Sequence, residues 1–115
     1  AEPCTNNCGF VDKASTLNGT LRLEGWAYLS SREERAHAVL VAAVDPSAQP
    51  RILSVTFPGY LRPDVAKALG NPDALDTGWS AELPAASTPV ESIRCFGYDA
   101  ESGTVYRLGR SRPVS

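Results

Sequence analysis

The chain has no methionine, one histidine, three cysteines and no cluster of basic residues among its 115 positions. Each scarcity excludes something. Without grouped lysine and arginine there is no stripe to track phosphates, and a net charge of −2 with both signs interspersed argues against nucleic acid as a partner. The longest apolar run, Ala36 to Val44, is interrupted by His37. It has about half the length a helix needs to cross a bilayer and suits a buried strand. Nucleophilic catalysis needs a base beside the nucleophile, and the single imidazole reads as a strand-end side chain with its polar tip in water. No Gly-x-Ser-x-Gly elbow and no glycine-rich phosphate loop occurs. The expectation is a non-enzymatic domain without a cofactor. The missing methionine reads as a mature protein after signal removal, or as a domain of something larger.

Cysteine is sparse but informative. Cys4 and Cys8 frame the polar stretch CTNNC, and two such thiols close together oxidise outside the cytosol. Metal sites show paired spacings on both sides, and the second half-site is missing here. A Cys4–Cys8 disulfide is therefore preferred, with Cys95 as a small core side chain. A link from Cys4 or Cys8 to Cys95 is the second choice. Carboxylates are scattered at turns (Asp12, Asp45, Asp73, Asp76, Asp99), where such residues usually bond the backbone. No metal is expected.

What is present describes one all-β domain over residues 1–115, with 1–8 and 109–115 as loosely ordered ends. A hydrophobic fraction of 43% against 21% charged suits one ordered core at this length. Strand-like runs recur between turn signals: Gly9–Asp12, Leu21–Leu29, His37–Asp45, Arg51–Phe57, Thr77–Pro84, Glu91–Asp99 and Gly103–Leu108. Asn18-Gly19 suits a tight hairpin. About seven strands predict a two-sheet antiparallel, immunoglobulin-like sandwich. The single helix, near Pro63–Leu69, is a short insert with Asp64 as its cap and Gly70 as its left-handed stop.

Aromatic residues supply the candidate site. In Leu21–Leu29, alternation puts Leu21, Leu23, Ala27 and Leu29 on one face and Arg22, Glu24, Trp26 and Tyr28 on the other. Exposed rings there, beside Arg22, would make a platform for a sugar or a protein. Against this, a bulge at Gly25 would turn Trp26 into the core, and that reading is preferred for Trp26. Tyr28 is left open, and Trp79 is assigned to the core. Arg62 is read as structural, with ligand contact as the lesser alternative.

Taken in order, GFVD, LEGWAY, LRPDVAKALG, TGWSAELP and RCFGYD resemble a small β-sandwich module attached to bacterial membrane glycosyltransferases and other envelope polysaccharide proteins. The matching positions are Gly9, Val11 and Asp12; Gly25, Trp26 and Ala27; Arg62, Pro63, Asp64 and Val65; Gly78 and Trp79; Leu83 and Pro84. CTNNC and the long connection AVDPSAQPRIL depart from that pattern. The resemblance implies a periplasmic or extracellular accessory domain tethered to a membrane protein outside this chain. Its partner would be a glycan, a lipid-linked sugar or an envelope protein, and the resemblance supplies no catalytic residue. The rival expectation is a protein-interaction module of an assembly such as a pilus or secretion system.

Overall fold

The computed structural model describes residues 2–3, 8–29, 33–44, 51–84 and 93–110. In chain order the strands begin with β1 (Glu2–Pro3), β2 (Gly9–Leu17), β3 (Thr20–Leu29), β4 (Glu34–Arg35) and β5 (Ala38–Ala43). They continue with β6 (Arg51–Thr56), β7 (Gly78–Pro84), β8 (Ile93–Asp99), β9 (Thr104–Arg107) and β10 (Gly109–Arg110). Between β6 and β7 lie one helix, α1 (Pro63–Leu69), and a 3₁₀ turn, Pro72–Ala74.

Two sheets form a sandwich. The first has the order β1-β9-β8-β5-β6, and the second runs β10-β2-β3-β4 with β7 also paired to β3. The long pairs are antiparallel, while the two-residue strands β1 and β10 join their neighbours in parallel. The hairpin of β2 and β3 turns at Asn18 and Gly19, both with positive φ (51° and 78°), as that dipeptide favours. Period-two burial is clearest in β8, where Ile93, Cys95, Gly97 and Asp99 are buried and the residues between them are half-exposed.

The core lies between the sheets. Val39 and Val41 of β5, Leu21, Leu23 and Ala27 of β3, and Trp79 of β7 meet there. Gly25 is where β2 and β7 crowd β3: a Cβ at that position would lie 2.1 Å from the Phe10 carbonyl oxygen and 3.0 Å from the Trp79 ring. Cys95 is buried in this core as a thiol outside any disulfide, which removes the pairings that involved it. Cys4 lies outside the described residues.

Two expectations need correcting. The bulge is not at Gly25. It lies in β2, where the register against β3 shifts between Val11 and Lys13 and Asp12 is the additional residue. The break in alternation after Val11 is that bulge, so the strand continues to Leu17 instead of ending at Asp12. Near the chain ends, Glu2–Pro3 pairs with β9, Gly109–Arg110 pairs with β2, and Cys8 is buried. The helix α1 is the short insert expected between β6 and β7. With the 3₁₀ turn it covers one end of the second sheet, and Val65 and Ala74 pack there with Tyr28, Trp26 and Leu69.

Candidate functional site

Trp26 and Tyr28 do lie on the outward side of β3, but they do not form an open platform. Alternation carries through Gly25 unbroken, and Trp26 is half-buried against the α1 cluster. Tyr28 is only 6% exposed, and its hydroxyl accepts a hydrogen bond from the Asn71 side-chain amide at 2.8 Å. Burial, opposed in part by that bond and reinforced by the charges of Glu33 and Asp73, holds the phenol above its usual pKa. Arg22 pairs with Glu24 at 3.1 Å in solvent. It is separated from Tyr28 by six residues of strand, on the order of 20 Å. The structure therefore does not bring Arg22 and Tyr28 together.

Arg62 is fully committed to the fold. Its Nε and one terminal nitrogen donate to the two carboxylate oxygens of Asp64, at 3.0 and 2.8 Å, and the other terminal nitrogen donates to Asp12 at 2.7 Å. This two-pronged pairing is the geometry guanidinium groups favour. Asp64 is thus not the N-cap residue of α1; that position is Arg62, which makes no side-chain cap bond. The carboxylate is held below its usual pKa chiefly by Arg62. The bulge explains Asp12: the additional residue turns its carboxylate outward, where Arg62 can reach it.

His37 also departs from expectation. Its Nδ1 accepts the Ala100 backbone N–H at 2.7 Å, so the ring proton sits on Nε2 and is donated to Glu34 at 3.0 Å. The ring ties the approach to β5 to the turn after β8. Glu34, His37 and Glu101 offer atoms within 4.8 Å of one another, in the manner of a metal site. A metal on Nε2 would place a proton on Nδ1, facing the Ala100 N–H.

Among the described residues, one group of solvent-facing apolar side chains was not read from the sequence. Between β6 and α1, Phe57 (67% exposed), Tyr60 (63%) and Leu61 (67%) project around the turn Pro58-Gly59. This ridge is held firmly. The Gly59 and Tyr60 N–H groups both donate to the Gly78 carbonyl, at 2.9 and 3.0 Å, and the Gly78 N–H donates to the Tyr60 carbonyl at 2.9 Å. Thr56, at the end of β6, adds a hydroxyl bond to the Ser80 carbonyl at 2.9 Å. Gly78 is required for this contact, because a Cβ there would sit 2.8 Å from the Tyr60 oxygen. One signal was available in FPGYL. A proline–glycine turn is normally flanked by polar residues, and here it is flanked by Phe57, Tyr60 and Leu61.

Beside the ridge opens a cleft of about 750 Å³ between residues 33–37 and 72–76. The Arg35–Asp76 ion pair, at 2.9 Å, spans it. No family model, no curated protein and no solved structure matches this chain.

Proposed function

We propose that this domain is a non-catalytic docking module working outside the cytoplasm, and that it meets a protein partner through the ridge Phe57–Leu61. The exposure of three large apolar side chains on a backbone fixed to β7 carries this reading. Leaving large apolar side chains in water is unfavourable, and several of them exposed close together in the chain suit an interaction site. A fixed backbone also lowers the ordering cost of binding.

The setting we propose is an accessory domain of a membrane glycosyltransferase or related envelope protein. The family-like motifs support it by meeting at structural joints. Asp12 of GFVD bonds Arg62 of RPD, and Gly25 of GWA packs beneath Trp79 of TGW. Such residues would hold a shared fold without contacting a ligand. The glycan-contact version loses its expected rings, because α1 covers Trp26 and Tyr28. The extracytoplasmic reading draws support from Cys8, which is disulfide-bonded, whereas Cys95 is not. Cys4 is its proposed partner.

Photocrosslinking in the cells that make the protein tests both statements. A photoreactive residue at Phe57 should trap one defined protein. The same residue at Leu17, 73% exposed on β2, should trap none. The trapped product, digested without reductant, should carry Cys4 joined to Cys8. Equal trapping at both positions, or none at Phe57, would contradict the docking reading. Reduced Cys4 and Cys8 would contradict the compartment.

A further inference from the structure

The ridge and the cleft adjoin. The Arg62 N–H donates to the Leu75 carbonyl at 2.6 Å, which sets Leu61 beside Leu75, and Leu75 is itself 37% exposed and lines the cleft. The cleft wall carries Glu33, Glu34, Asp73 and Asp76 against Arg35 and His37. Asp76 is neutralised by Arg35 and Glu34 is engaged by His37. Glu33 and Asp73 stand exposed at the rim. Apolar anchors thus lie next to negative charge that the protein leaves in water.

We propose that ridge and cleft form one docking surface for a basic, apolar protein segment, with leucine-like side chains on Tyr60 and Leu61 and a lysine or arginine in the cleft. This rests on the docking reading above and adds the chemistry of the partner. Complementary charge selects that partner over two others. An anionic membrane surface would meet the carboxylates with like charge. A second copy related by a twofold axis would set the same net negative patch against itself.

The test is an NMR titration of the whole domain with two synthetic probes, an alternating leucine–lysine hexapeptide and its leucine–glutamate counterpart. The lysine peptide should shift amides at Glu33–Arg35, Asp73–Asp76 and Tyr60–Leu61. Its affinity should fall about tenfold between low and physiological salt, as screening removes the charge contribution. The pair Glu33→Gln and Asp73→Asn, both on exposed side chains, should weaken it by a similar factor and leave the fold intact. Equal binding of the glutamate peptide, shifts confined to other surfaces, or no binding of either probe at millimolar concentration would overturn the basic-partner inference. So would shifts of the ridge on dilution of the protein alone, which would signify a second copy, or on adding phosphatidylglycerol vesicles. Phe57 crosslinking is independent of all these outcomes, so failure here leaves the docking reading to be judged by its own experiment.

Discussion

Trp79 is 1% exposed, and its indole N–H has no hydrogen-bond partner among the described residues. An orphaned buried donor carries a cost, so the ring is retained for the volume it fills between the sheets. Trp79→Ala should cost roughly 3–5 kcal/mol through the cavity it leaves. Trp79→Phe keeps much of the volume and removes the orphaned donor, and should cost less than half as much. Chemical denaturation of both variants measures the difference, and equal losses would contradict this view of the ring. The core role of Trp79 was legible in the sequence because TGWSAELP alternates cleanly. Trp26 was misjudged for a physical reason. One strand read alone cannot show what covers its outer face, and the cover here is α1, some forty residues further along the chain.

Elements were legible to the extent that their endings are chemical. Pro63 and Gly70 bound α1 as expected, with Gly70 in the left-handed conformation at φ 65°. Asn18-Gly19 placed the first hairpin. The bulge in β2 was invisible because what makes it useful, the pairing of Asp12 with Arg62, links positions fifty residues apart. Asp64 belongs to that joint and not to the helix cap. Asp64→Ala should therefore cost well under the roughly 1 kcal/mol of a lost cap, since pairs this exposed contribute little. Arg62 holds the native Asp64 carboxylate below its usual pKa, so the pairing contributes fully above the unfolded value, near 4. It is lost as the pH falls through the lower native value. Melting curves of the parent and Asp64→Asn should differ slightly at neutral pH and converge in strong acid. A gap that widens in acid would contradict the assignment.

At the scale of the whole molecule, two sheets and one core followed from the spacing of strands and turns, and seven of the strands have four or more residues. The spacing could not show which strand edges stay open, or that the segment leaving β6 would return to β7 with its apolar side chains outward. The ridge is a product of that crossing. It requires Gly78 on β7, the Pro58-Gly59 turn and the anchoring of Arg62, and these come together only in the folded chain. The proposed docking role requires this surface to be covered where the protein works. Hydroxyl-radical oxidation, run on the purified domain and again on the domain in the cells that make it, reads that cover directly. Phe57, Tyr60 and Leu61 should oxidise readily in isolation and several-fold more slowly in place, with Leu17 reacting alike in both. Identical oxidation of all four residues in the two settings would contradict a docking role for the ridge.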